Sequence, residues 1–143
     1  MREIKFRGKG SKTHSWLYGN LQVPSVEGVE YFMWDEDKFQ IDVIPETIGQ
    51  YTGLKDKNGK EIYEGDILRG NEYPFNCDGV DNYYVEIVWA DNVCGFYRIT
   101  HKKPNSTVRG ISHGNWSQLD EEDMESFEII GNIHDNPELI KDK

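Results

Sequence analysis

Two cysteines in 143 residues, Cys77 and Cys94, leave little from which to build a disulfide framework, and neither belongs to a CxxC pair. No apolar run approaches the ~20 residues of a membrane-spanning helix. The opening residues show neither the basic n-region nor the apolar h-region of a secretory signal. The expectation is a protein of a reducing cytoplasm, not held in a membrane. Basic charge is also in deficit: 16 lysines and arginines stand against 26 acids, a formal net charge of −10. Nonspecific nucleic-acid binding draws its affinity from cations that displace counterions from phosphates, so the balance argues against that function. The four histidines, His14, His101, His113 and His134, are scattered, without the helical i,i+4 spacing or the cysteine partners of a zinc site.

What is present is a supply of apolar and aromatic residues, 36% and 13% of the chain, enough for one domain or two small ones. The charge is unevenly placed. Residues 1–12 carry Arg2, Lys5, Arg7, Lys9 and Lys12 against Glu3, whereas 120–143 carry nine acids against Lys141 and Lys143. Two solvated faces are the plain reading. A basic strand end covered by the acidic end of another copy is the sharper one, and it leads to the expectation of a homo-oligomer.

Patterning reads as strands throughout. "REIKFR" (2–7) alternates, with Ile4 and Phe6 inward and Arg7 outward; "SWLYGNLQV" and "VEYFMW" are aromatic and β-branched; "FQIDVI" alternates with Phe39, Ile41 and Val43 inward. Pro45 ends this run, which defines an N-terminal β subdomain over 1–48. In the second part, 49–143, "YYVEIVW" (83–89) and "VCGFYRI" (93–99) flank Asp91-Asn92, a two-residue hairpin turn. That turn sets Trp89 opposite Cys94 and Ile87 opposite Phe96, places Trp89, Ile87, Phe96 and Cys94 in the core, and puts Glu86 and Tyr97 on the other face. After a polar loop over 101–117, Ser117 and Asp120 resemble a capping pair before a short acidic turn. "FEIIGNI" is a last strand, and Asn136-Pro137 suits N-cap and N1 of a final helical turn.

The segment "TGLKDKNGKEIYEGDIL" (52–68) holds Gly53, Gly59 and Gly65 among acids and lysines. It fails as an EF-hand: with Gly59 at the sixth position, Leu54 and Gly65 occupy the first and twelfth, where carboxylates are required. It fails as a P-loop because Glu61 follows Gly59-Lys60. The glycines are read as three backbone reversals, with Asn58-Gly59 as a type I′ hairpin turn and Glu64-Gly65 as a second turn.

The stretch "VIPETIGQYTGLKDKNGKEIYEGDIL" (43–68), the opening "MREIKFRGK" and the ending "FEIIGNIHDNPELI" together resemble, in order, the signature of the YopX family of small bacteriophage and prophage proteins. The resemblance implies a mainly β protein, its C-terminal part similar to an SH3-like β-barrel with short helical turns, an origin in a phage or prophage, and the cytoplasm of a bacterial host. It implies no activity and no catalytic residues. Residues 69–82 and 101–117 match no part of the signature.

On their own chemistry the candidate groups give little. His101 and His113 bracket the long loop and form the best metal guess; Cys77 in a polar turn is a surface thiol rather than a nucleophile; Glu61, Glu64 and Asp66 are turn-forming acids rather than an acid–base pair. No cofactor is expected. Tyr83, Tyr84, Trp89, Phe96 and Tyr97 share one hairpin, a surface other barrels use for peptides or single strands, but Arg98 stands alone on it as a cation, with Lys102 and Lys103 just after. The reading is a non-catalytic binding or assembly module. The alternatives are a metal-assisted hydrolase and an acidic DNA mimic or inhibitor of a host protein.

Overall fold

The computed structural model describes residues 3–70, 76–77, 80–81, 83–102, 115–119 and 121–140. The chain divides into two compact units, 1–53 and 54–143. It is predominantly β.

In the first unit, β1 (Phe6–Lys9), β2 (Trp16–Gly19), β3 (Leu21–Gln22), β4 (Phe32–Trp34), β5 (Gln40–Asp42) and the start of β6 (Gly49–Lys55) follow one another. A single 3-10 turn, Pro45–Thr47, precedes β6. β1 pairs antiparallel with β2 on one side and with β6 on the other. The expectation of an exposed basic edge at 2–7 is thus reversed, because the strand starts later and both of its edges are taken. The inward set differs for the same reason. Ile4 lies before the strand and is 62% exposed, whereas Arg7 is buried, its guanidinium 4.7 Å from the centre of the Trp16 ring. The aromatic face of Trp16, not solvent, receives the guanidinium charge.

β3, β4 and β5 form a second, antiparallel sheet of order β3-β4-β5. Met33, opposite Ile41 and Leu21, carries its buried face, and Val43 just beyond β5 is buried with it. Phe39 does not join them and is 66% exposed. It closes the β4–β5 turn, where the Asp35 carboxylate accepts hydrogen bonds from the backbone of Asp37 and Phe39, both 2.9 Å. That Asx-type turn ends the alternation one residue before β5 begins.

In the second unit, β7 (Glu61–Tyr63), β8 (Asp66–Gly70), β9 (Asn76–Cys77), β10 (Val80–Asp81), β11 (Tyr83–Ala90), β12 (Gly95–Lys102) and β13 (Asn115–Gln118) precede a one-turn helix α1 (Glu121–Met124) and β14 (Phe127–Asn132). β9 and β10 form a two-stranded ladder. The main sheet is five-stranded and antiparallel, in the order β13-β12-β11-β8-β14. It is open: among the described residues no ladder joins its two end strands. Ile62, Leu68, Val85, Ile87, Met124 and Phe127 make the core, with Leu54, Leu119 and Ile129 packed at its margin.

The glycine-rich segment is structural, in a different geometry from the one its pattern suggests. Asn58 does not take a positive φ; Gly59 does, at 78°. Gly59 N–H donates to Asp56 C=O at 3.0 Å and Asp56 N–H to Lys60 C=O at 2.9 Å. This is a type I turn followed by a left-handed residue, the three-residue hairpin loop rather than type I′. Gly53 is not a reversal at all: it sits inside β6 at φ 88°. Gly65, at φ 94°, does turn the chain, and the Asp66 carboxylate then accepts from Tyr63 N–H at 2.8 Å.

A Cβ at position 59 would meet open space, so a substitution there acts through the backbone alone. Gly59→Val is expected to destabilise the protein by about 1–3 kcal/mol, since a β-branched residue is strained at this φ. Urea denaturation checks it, and an unchanged midpoint would contradict the turn.

Candidate functional site

The β11–β12 hairpin carries the exposed Trp89 at its tip. It is closed not by two residues but by four: Asp91–Val93 form a 3-10 turn and Cys94 takes a left-handed conformation at φ 49°. The longer loop shifts the pairing by two residues, so that Trp89 opposes Phe96, Ile87 opposes Arg98 and Ala90 opposes Gly95. A shift of two preserves every face while changing every partner. Trp89, Ile87 and Phe96 therefore still share a face, and Glu86 and Tyr97 the other.

Two core expectations fail. Cys94 lies in the loop and is exposed. Trp89 is 40% exposed, while Ile87 two residues earlier is fully buried. The hairpin continues past the core, so the face that is inner at Ile87 meets solvent at Trp89. There the indole packs edge-to-face on Phe96, with ring centres 5.1 Å apart, and Val93 in the turn is also exposed. The result is an apolar tip of two aromatics and a valine, held by eight cross-strand pairs.

Cys94 should accordingly be modified at close to the rate of a free thiol under native conditions, as mass spectrometry after brief maleimide treatment would show. Protection until denaturant is added would contradict this loop. The side chain of Cys77, expected to react, lies outside the described residues.

The rest of the hairpin is not a stacking platform. Tyr84 is buried, Tyr97 is half-buried, and the Tyr83 side chain is outside the described residues. Arg98 faces inward, its guanidinium 5.4 Å from the centre of the Phe127 ring. The cation the sequence offers to a nucleic acid on this hairpin is thus directed at the core side of the sheet.

On the opposite face His101 Nε2–H donates to Glu86 Oε1 at 2.9 Å. The two side chains are only 16% and 17% exposed. The carboxylate orients the imidazole ring, and Nδ1 is itself buried from solvent. Spacing alone does not reveal this pair, because Glu86 and His101 meet only once β12 is known to run on to Lys102.

The other groups weighed from the sequence do not converge. His14 occupies a left-handed position in an exposed turn, and His134 lies in the turn after β14. His113 is outside the described residues. Asp66 is buried and engaged with the backbone of its own turn, and Glu61 accepts from Tyr63 Oη at 3.4 Å. Among the described residues no three histidine, cysteine or acidic side chains come together as a metal-ligand set. Among the described residues no helix is long and apolar enough to cross a membrane either.

The turns that carry the family-like segments are internally engaged. Asn132 Oδ1 accepts from His134 and Asp135 N–H, at 3.0 and 2.9 Å, while Asn132 N–H donates to Asn136 Oδ1 at 3.3 Å. A Cβ on Gly131 would lie 2.5 Å from that oxygen. Asn136 thus does not cap the final turn with its side chain as expected, although the turn itself, Pro137–Leu139, is present as 3-10 helix. Ser117 lies in β13 rather than at a helix start. Asp120 is outside the described residues.

Compared with known proteins, residues 3–141 match the model of the family described as YopX protein. No curated protein matches the chain. Among solved structures, the chain is similar to the crystal structure of protein EF1440 from Enterococcus faecalis, with a TM-score of 0.59 and 23% identity over 99% of this chain and 100% of that one.

Proposed function

The chain belongs to the YopX family, and from that premise we propose that it is a phage or prophage accessory protein acting in the host cytoplasm as a non-catalytic binding or assembly module. The observation that carries the proposal is the apolar tip of the β11–β12 hairpin. Trp89, Val93 and Phe96 are large, stand at the end of a rigid ladder and contribute little to the core. Aromatic side chains presented on a rigid element are what protein interfaces use as anchors. The same reading takes the five-stranded sheet as a variant of an SH3-like barrel, supported by the consecutive β11, β12 and β13 and by β14 returning beside β8.

The first partner in this proposal is a second copy. Paired tips would place Trp89 of each copy over apolar surface of the other, a closed two-fold contact. The opposite charges of the chain ends are a weaker ground than they look in sequence: Lys5 lies 3.4 Å from Glu3, and Glu128 is held by Arg69 at 3.1 Å. An interface with an apolar centre persists in salt, whereas one resting on surface charge weakens by ~1 M. Light scattering at tens of micromolar protein is expected to give a dimer mass at low and high salt, and a monomer for Trp89→Ala. Monomeric wild type, together with pull-downs from induced lysogens that are indifferent to Trp89→Ala, would overturn the proposal.

A further inference from the structure

β5 is an edge strand of its three-stranded sheet, and its outer side carries main-chain groups that no strand pairs. Its register with β4 pairs Phe32 with Asp42, Met33 with Ile41 and Trp34 with Gln40. Val43 N–H donates to Tyr31 C=O at 2.9 Å, and Asp35 N–H to Phe39 C=O at 3.0 Å. In an antiparallel ladder hydrogen-bonded pairs alternate with non-bonded ones, so Phe39, Ile41 and Val43 turn their amides toward β4, while Gln40 and Asp42 turn theirs outward.

The outer side is only partly covered. Asp42 C=O accepts from Ser11 N–H at 2.8 Å, and there the neighbouring chain leaves, folding into its own turn through Gly10 N–H to Ser15 C=O at 2.9 Å. Gln40 N–H and C=O face outward beyond that point, without a backbone hydrogen bond among the described residues. A cleft of about 270 Å³ lies at this place, lined by Ser11, Lys12, Thr13, Gln40, Ile41 and Asp42. It falls just under the ~300–1,000 Å³ of ordinary small-molecule sites. Its wall, however, is an open strand edge, which suits a length of chain passing along it.

We propose that this edge is a docking site for an extended peptide segment with alternating basic side chains, added as a further strand beside β5 and stopped at one end by the Ser11–Thr13 turn. Main-chain bonds to Gln40 supply the ladder, and side chains on one face of the added strand meet the Gln40–Asp42 face. Charge selects the partner. Around the edge Asp35, Glu36, Asp37 and Asp42 stand against Lys38 and the cleft-lining Lys12, a net acidic balance that attracts a basic strand and repels an acidic one. The same balance disfavours a second copy of this acidic chain, the other natural occupant of an open edge. Trp34 and Phe39, both exposed, flank the edge as apolar contacts. This site is in the first unit and independent of the β11–β12 tip.

The test is titration of the isotope-labelled protein with a short acetylated and amidated peptide alternating valine and lysine, followed by amide shifts and hydrogen exchange. Saturating shifts and slowed exchange at Gln40 and Asp42 are expected. A glutamate-for-lysine peptide should bind at least ten-fold more weakly, and a peptide N-methylated throughout should not bind. Gln40→Pro removes the outward N–H at an edge position that tolerates proline, and should weaken binding ten-fold or more. Should that variant fail to fold, Asp42→Lys leaves the backbone intact and should remove most of the ten-fold preference for the lysine over the glutamate peptide. Trp89→Ala should bind the peptide like wild type, which separates this site from the tip. Equal binding of the N-methylated peptide, shifts confined to other residues, or no shifts at millimolar peptide would overturn the proposal. So would Gln40 shifts that follow protein concentration without peptide, because a second copy would then occupy the edge.

Discussion

Asp56→Ala is expected to destabilise the protein by about 3–4 kcal/mol, through the loss of an acceptor that three backbone amides share. Oδ1 of this buried carboxylate accepts from Asn58 and Lys60 N–H, both at 2.9 Å, and Oδ2 from Ile129 N–H at 3.0 Å. Lys57 N–H also donates to Phe127 C=O at 2.9 Å. The glycine-rich loop is thereby fastened along the free side of β14, an end strand that would otherwise present open ladder groups. In the alanine variant water reaches the two turn amides more easily than Ile129, so the loss is less than three full desolvation penalties of ~1–3 kcal/mol each. Asp56→Asn should not restore the wild type, because its NH₂ must face either the turn amides or Ile129 and neither offers an acceptor there. Urea denaturation at constant m checks both variants. A shift in Asp56→Ala no larger than that of a surface substitution would contradict the role assigned to this carboxylate.

Ile87→Ala and Trp89→Ala should differ in the opposite sense to side-chain size. Ile87 is fully buried against Leu68, Val85, Met124 and Phe127 within the core cluster, so truncation removes its transfer energy and leaves a cavity, at about 3–4 kcal/mol. Trp89 has its ring partly in solvent and one aromatic neighbour, Phe96. Its truncation should cost about 1 kcal/mol, the range of an aromatic pair on a surface strand. Thermal and urea denaturation of the two variants in parallel is the measurement. If Trp89→Ala is as damaging as Ile87→Ala, the tip is core and cannot serve as an exposed anchor.

Local chemistry made much of this protein legible in advance. Alternation and aromatic content mark the strands around Trp16, Met33, Ile41 and Ile87, and Pro45 marks the end of the first run. Asn58-Gly59 marks a reversal, because a glycine is needed at one positive φ whichever hairpin turn is built. Faces survive too: Ile87, Trp89 and Phe96 share one as alternation requires, since even a wrong partner leaves the period of two intact. These features depend on neighbours within a few residues, and a sequence displays such neighbours directly.

Tertiary structure decided what depends on where each element stops relative to the core. Whether the Asp91-Asn92 turn holds two residues or four changed every partner across the hairpin and moved Cys94 from the core to a left-handed loop position. How far β11 extends beyond the core set Ile87 inside and Trp89 outside on the same face. The Glu86–His101 pair, the seat of Arg7 against Trp16 and the grip of Asp56 on Ile129 join residues far apart in the chain. So does the part of the β5 edge that Ser11 covers, which leaves Gln40 open. Burial and long-range partnership follow from the length of elements and the path of the chain between them, and side-chain periodicity carries information about neither.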